Sequence, residues 1–539
     1  MIGRSYRLTF GVVAYFALTP LVHAQNRPKP QHPVEVPPAV VVLPIDTTEG
    51  DSTRTIIQRD FDFGDRIQPV LLDSAVLYDV WHPGERGIDF GPLAETRATL
   101  AVRARRIPTG LHVEVYDVPR GRLRQGADFR LPKVRADRSR PVRDSLDRIL
   151  GVRAGLARRK LITDSVQLDT LSRAAERKVP LEHPGQRVAA KRAAAVGDSI
   201  AREIGRRDIL IRAKAVNDTI HFDSVFAAIM LGDSIVRDSG GRELRLAIHG
   251  VSDELERWIT GTRGIAATRI TYVDGTKLKM IDSDGANDRT LPTVGAALSP
   301  SWSPSGKSIV YVDADDLGTR IAQLDLRKML PRLLPASGRG LNITPVYTRD
   351  GKNIVWASGG DSPAELYIAS ATSGDTIAKP FVGRTGFETT SPSFDPDGKQ
   401  IAFMSPRPLT PQIYIMDVDG KRLRLLTPVV AGKRSYRTSA AWSPTGEEIA
   451  YMQQAGDFQV WTIRVRDRVM RQLTAEGENE DPSWAPDGRH LSMTSRRGEV
   501  IGAARDIWIL DSRTGRMRQL THTNDGRLSD WSPVLRPNY

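Results

Sequence analysis

The sequence predicts a two-domain chain, a small N-terminal α/β domain followed by a six-bladed all-β propeller, and three observations carry that reading. The motif Trp302-Ser303-Pro304-Ser305-Gly306 returns as Tyr347-Thr348-Arg349-Asp350-Gly351, Phe394-Asp395-Pro396-Asp397-Gly398, Trp442-Ser443-Pro444-Thr445-Gly446 and Trp484-Ala485-Pro486-Asp487-Gly488, and a truncated Trp531-Ser532-Pro533 closes the chain. Its aromatic positions lie 45, 47, 48, 42 and 47 residues apart, the period of a propeller blade. Six apolar strands can be counted at 269–273, 308–312, 353–357, 400–404, 448–452 and 490–494, each followed by a second at 278–282, 321–325, 366–369, 413–417, 460–464 and 507–511. The first pair has no motif before it and the last motif has no pair after it. Pairing the C-terminal strand into the first blade uses every piece once.

The elements ahead of the ring read differently. Residues 1–24 carry Arg4 and Arg7, an apolar stretch over 8–22 and the small-residue pattern Val22-His23-Ala24. These are the marks of a secretory signal peptide cut between Ala24 and Gln25. No later segment reaches about 18 apolar residues. Residues 25–38 hold five prolines and no periodicity, so they read as an extended arm. Residues 39–43 form a buried-strand run, and 51–66 a helix with Ser52 or Thr53 as N-cap. Residues 99–105, 110–118 and 121–131 read as three neighbouring antiparallel strands.

Residues 133–243 change character, with 23 Lys and Arg against 15 Asp and Glu out of a chain net charge of +13. They read as a basic, partly helical insert within an α/β domain at 39–262, broken by Pro180, Pro184 and Gly240-Gly241. Leu244, Ile248, Val251, Leu255, Trp258 and Ile259 then fall at helical spacing up to Gly261. The propeller is expected over 263–539.

The motif residues are explained by blade building. Glycine supplies the positive φ of a tight strand connection, Pro fixes φ at its start, and the aromatic packs between blades. The chain has no cysteine, which excludes disulfides and thiol chemistry. There is no Gly-x-Ser-x-Gly elbow, no His-Glu-x-x-His and no phosphate-binding glycine loop. Asp282-Ser283-Asp284-Gly285-Ala286-Asn287-Asp288 looks superficially like a calcium loop, but Thr293 stands where the twelfth-position acid belongs. The expectation is therefore no catalytic residue, no cofactor and no metal. For an exported chain the positive charge points to anionic envelope polymers rather than nucleic acid.

The order of parts resembles the TolB family, periplasmic propeller proteins of the Tol–Pal envelope system. The likeness runs through Val40-Val41-Val42-Leu43-Pro44, Val113-Glu114-Val115-Tyr116-Asp117-Val118, Thr260-Gly261-Thr262-Arg263-Gly264, Thr268-Arg269-Ile270-Thr271-Tyr272-Val273 and Leu298-Ser299-Pro300-Ser301-Trp302-Ser303-Pro304 to the terminal Trp531-Ser532-Pro533. It implies a non-enzymatic periplasmic adaptor. Such an adaptor docks the peptidoglycan-associated lipoprotein Pal on the propeller and reaches the inner-membrane protein TolA through its mature N-terminus. The resemblance places the docking face on the loops leading into each motif strand, here Ser299, Thr344, Thr390, Ser391, Ser439, Asp481 and Leu528. The 25–38 arm has no clear counterpart in the family's TolA segment, and the basic insert is foreign to its pattern. The alternative is a periplasmic propeller that binds a small ligand or saccharide outside the Tol–Pal system.

Overall fold

A computed structural model describes residues 36–45, 48–72, 80, 87–132 and 239–536, apart from breaks at 338–339, 361–362, 373–376, 383–385, 408–409, 430–434 and 498–503. The expected signal peptide, most of the proline-rich arm and residues 133–238 of the insert lie outside the described residues. The described residues make one compact unit.

Its first part is a five-stranded sheet in the order β2-β1-β3-β4-β5. Strand β1 (Ala39–Val42) pairs in parallel with β2 (Gln68–Val70) and β3 (Leu100–Ile107), and β4 (Gly110–Asp117) and β5 (Arg122–Arg130) extend the sheet antiparallel. All four residues of β1 are buried, as a central parallel strand covered on both faces requires. Helix α1 (Thr48–Gly64) and helix α3 (Ser239–Thr260) close one face, burying Ile57, Phe61, Ile248, Val251 and Leu255 on Val40, Val42, Val102, Val113 and Val115. A short helix α2 (Phe90–Ala94) caps the other, with Leu93 on Val41 and Leu43.

Two sequence expectations are corrected here. Helix α1 starts at Thr48, so Thr53 is no cap: it lies inside the helix and is 2% exposed. Burial of Thr53, Ile57, Asp60 and Phe61 on one face extends the helix past the local cap signal. Asp65, at φ 53°, then ends it. Gly240-Gly241, read as a break, lies in the first turn of α3, where glycine's entropic cost is smaller than in a helix interior.

The second part is a closed ring of six four-stranded antiparallel sheets. Five are sequential: β9–β12 (296–333), β13–β16 (341–380), β17–β20 (390–425), β21–β24 (437–472) and β25–β28 (478–519). The sixth is composite, in the order β29-β6-β7-β8, where β29 (Gly526–Trp531) pairs with β6 (Arg269–Asp274) at Trp531↔Ile270 and β7 (Lys277–Asp282) and β8 (Arg289–Thr290) follow. The C-terminal strand therefore completes the first blade. The motif aromatics Trp302, Tyr347, Phe394, Trp442, Trp484 and Trp531 are all 5–8% exposed and pack between blades. Trp302, for example, sits among Leu278 and Met280 of one blade and Ile309 and Tyr311 of the next.

The motif glycines hold the predicted positive φ, from 63° at Gly488 to 79° at Gly446. Successive turns also touch: a Cβ on Gly488 would lie 2.6 Å from Thr445 Cγ2 of the preceding blade. Gly488→Ala is therefore expected to cost about 2 kcal/mol in urea unfolding, combining left-handed strain with a steric shift. Gly515→Ala, at φ 74° with open space around it, is expected to cost about half of that.

Candidate functional site

The six innermost strands share one irregularity. In each, two residues oppose a single residue of the neighbouring strand: Ser299-Pro300 face Tyr311, Thr344-Pro345 face Trp356, Ser391-Pro392 face Phe403, Ser439-Ala440 face Tyr451, Asp481-Pro482 face Met493, and Leu528-Ser529 face Tyr272. These are β-bulges, and a proline at the second position loses no ladder bond because the bulged residue is unpaired. The single residues opposite are large and fully buried. The first bulge residue lies in the left-handed region in every blade: Ser299 at φ 44°, Thr344 at 50°, Ser391 at 52°, Ser439 at 53°, Asp481 at 50° and Leu528 at 54°. None is glycine, so each costs on the order of 1 kcal/mol. Six strained positions at one level of a ring are a built feature.

These six residues line a central channel, a cavity of about 410 Å³. The structure thus brings together six of the seven positions named from the sequence. It places them inside the innermost strands, at bulges, rather than in the loops before them. Thr390 is the exception: it is 4% exposed, pairs with Met404 and does not line the channel. Neighbouring strand residues point to opposite faces, so Ser391 faces the channel and Thr390 the blade.

A second layer stitches the innermost strands together. In three blades the side chain of the residue before the motif aromatic accepts the backbone N–H of the next blade's aromatic. Trp302 N–H donates to Asp530 Oδ2 at 2.7 Å, Trp442 N–H to Ser393 Oγ at 2.9 Å and Trp531 N–H to Ser483 Oγ at 3.1 Å. Ser483 Oγ–H also donates to Asp530 Oδ1 at 2.8 Å, and Ser439 Oγ–H to Asp481 Oδ1 at 2.8 Å. Burial pushes the Asp530 carboxyl up to about 6 despite the donors from Trp302 and Ser483. It pushes Asp481 up as well, against the Ser439 bond. Burial, with Asp481 and Glu478 nearby, takes Glu480 up to about 7. The channel therefore presents hydroxyls, an apolar Leu528 and two carboxyls that resist ionisation. Asp530, absent from the sequence-derived set, was marked only by being the one acidic residue directly before a motif aromatic.

The α/β domain docks on the motif-turn face at the β25–β28 blade and the composite blade. Arg66 reaches Asp487 and Glu256 at 3.0 Å each. Phe63 packs on Ile270 and Trp531 under the guanidinium of Arg518, 4.1 Å from its ring centroid. The supposed calcium loop lies in this seam. Asp282 meets Arg269 at 3.0 Å and Arg245 at 3.4 Å, Asp284 meets Arg245 and, at 3.6 Å, Arg59, and Asp288 meets Lys279 at 2.6 Å. The protein's own cations thus match these carboxylates. The same holds for Asp511, bound by Arg489 at 2.6 Å and held down to about 2 despite its burial. Among the described residues, no helix is long and apolar enough to cross a membrane.

A six-bladed ring with a lined channel, joined through its turn face to a small α/β domain, defines a binding scaffold of the propeller class. Residues 256–535 match the TolB beta propeller domain, and the chain belongs to that family. It is 30% identical over 177 residues to the Tol-Pal system proteins TolB of Bordetella pertussis and Bordetella bronchiseptica, which covers 32% of this chain and 40% of each relative's length. The crystal structure of TolB from Acinetobacter baumannii is similar over 93% of this chain and 97% of that one, with a TM-score of 0.60 at 18% identity. At that identity the likeness speaks for the fold.

Proposed function

We propose that this protein is a non-enzymatic periplasmic adaptor of the Tol–Pal system that docks a Pal-like outer-membrane lipoprotein on the open end of the propeller and supports envelope integrity and constriction at division. The ring of six left-handed bulge residues at the channel is the observation that carries this reading. Strain repeated at equivalent positions marks a surface whose shape matters more than its stability. Among the described residues the contacts to α1 and α3 come from the opposite, motif-turn face, which supports the channel mouth as the docking end. Family membership supports Pal as that partner and a TolA-like protein as a second one, although the arm ahead of β1 departs from the family's TolA segment; the charge of the basic 133–243 insert, not the family, supports anionic envelope polymers.

In this reading Ser299, Thr344, Ser391, Ser439, Asp481 and Leu528 border the docked segment, and Thr390 supports Ser391 from behind. Leu528, the apolar member of a polar ring, is the expected anchor. Calorimetric titration of the chain with the periplasmic domain of its own organism's Pal should give a complex at micromolar concentration. Leu528→Lys should weaken it at least about tenfold with the melting temperature unchanged, because buried apolar anchors dominate interface energetics. Absence of binding by the unmutated chain would overturn the proposal.

A further inference from the structure

The seam between the α/β domain and the propeller holds two buried histidines, and they are arranged alike. His249, on α3, has its Nδ1 2.8 and 2.9 Å from the two Asp60 oxygens of α1. Its imidazole and the carboxylate of Asp284, in the propeller's β7–β8 loop, lie within 4.8 Å of each other. His490, in the propeller, has its Nδ1 2.8 Å from Asp487 of the adjoining turn and its Nε2 3.4 Å from Asp65, which follows α1. Each ring is therefore anchored to a carboxylate of its own domain and set against a carboxylate of the other. Both side chains are 0–1% exposed.

We propose that this seam is a proton-controlled latch, in which the protonated imidazoles of His249 and His490 bridge carboxylates across the two domains and release them on deprotonation.

The charges on every side favour the protonated rings. His249 faces Asp60 from α1 and Asp282 and Asp284 from the propeller loop, whose cationic neighbours Arg59, Arg245 and Arg269 are paired to those same carboxylates. Burial would lower its pKa, but the charge and hydrogen bond of Asp60 raise it overall. His490 faces Asp487 and Asp65, with Asp511 behind it. Arg489 is paired to Asp511, Arg66 to Asp487 and Glu256, and Arg516 and Arg518 to Asp65. Burial opposes its charge as well, yet the bond to Asp487 and the nearby carboxylate of Asp65 raise it. Phe63 lies stacked at 6.4 Å and keeps water off the ring.

The sign follows directly. A histidine whose folded value lies above the unfolded 6.5 contributes stability that is complete below that value and is lost as pH rises through the folded one. Asp253, in the same α3 seam, adds to the trend: burial pushes it up to about 7, so it too favours the acid side. An envelope compartment that follows external pH would then tighten the two domains in acid and free them in alkali.

The chain has no cysteine, so a pair introduced at exposed positions on each side, Ala94→Cys on α2 and Arg513→Cys in the β27–β28 turn, can carry a donor and acceptor dye in the full-length protein. Energy transfer should stay constant from about pH 5 to 6.5 and fall between there and about pH 9. In the His249→Gln, His490→Gln double variant it should already be low at pH 6 and no longer respond to pH. A flat profile in the parent chain, or an unchanged profile in the double variant, overturns the latch. If the double variant does not fold, the imidazole C–H resonances of the parent chain decide. Two histidines titrating above 6.5 support the latch, and both titrating below it overturn it.

Discussion

Replacing Asp487 with alanine is expected to lower stability by about 4 kcal/mol, because it removes one partner of a buried charge cluster and strands the rest. Its carboxylate accepts from Arg66 at 3.0 Å, from His490 Nδ1 at 2.8 Å, and from the backbone N–H of Arg489 and His490 at 2.9 and 3.1 Å. Burial alone would raise its pKa, but the His490 bond and the charges of His490 and Arg66 hold it well below the usual carboxylate range. It is therefore ionised at any pH at which the protein is handled, and its stabilisation is lost only in strong acid. Asp397 offers the internal comparison, because it occupies the same motif position in another blade. There the side chain is 69% exposed and meets only Lys399, at 3.4 Å. Asp397→Ala should change stability by no more than about 0.5 kcal/mol. Urea unfolding of both variants checks the pair, and a loss below about 1.5 kcal/mol at Asp487 contradicts the role given to the seam.

That contrast shows which information the sequence held. The ring was legible because its period, its glycines and its aromatics obey local rules that each blade repeats, and the unmatched Trp531-Ser532-Pro533 exposed the closure directly. The central strand at 39–43 and the three-strand meander were legible from apolar runs and alternation. Strand β2 and helix α2 were not, since three and five residues give no measurable period. The channel residues were named by resemblance and found at bulges, a feature set by a two-against-one register that no single strand reveals. Thr390 shows the limit, because one step along a strand exchanges channel for blade. The seam was illegible for another reason: Asp487 and Asp397 hold the same place in their turns, and it is the tertiary approach of Arg66, together with His490 where the other turn has Gln400, that separates them. The Asp282–Asp288 loop likewise resembled a cation site because its acids await cations, which arrive from α1, α3 and β6.

Ring closure is where the second large effect is expected. Every blade but one is a continuous hairpin set, so the joint between β29 and β6 has to be held by contacts rather than by chain connectivity. Asp530 lies in that closing strand and ties three blades, through Trp302 N–H on one side and Ser483 Oγ–H on the other, while Ser483 holds Trp531 N–H. Asp530→Ala leaves a part-buried backbone donor and a hydroxyl without their acceptor and should cost about 2 kcal/mol at pH 5. Hydrogen exchange at β29 and β6 should accelerate more than at β17–β20, across the ring, because opening the joint exposes the closing strand first. Asp530→Asn separates the hydrogen bonds from the charge. The amide oxygen can still accept from Trp302, while the carboxyl it replaces titrates near 6. A carboxyl raised from 3.8 contributes stability that is complete below that value and is lost as pH rises through about 6. The parent chain should therefore be the more stable of the two at pH 4 and lose that advantage by pH 8. Parallel melting curves at the two pH values test this, and a pH-independent difference would show that the closing strand is held by Ser483 and packing alone.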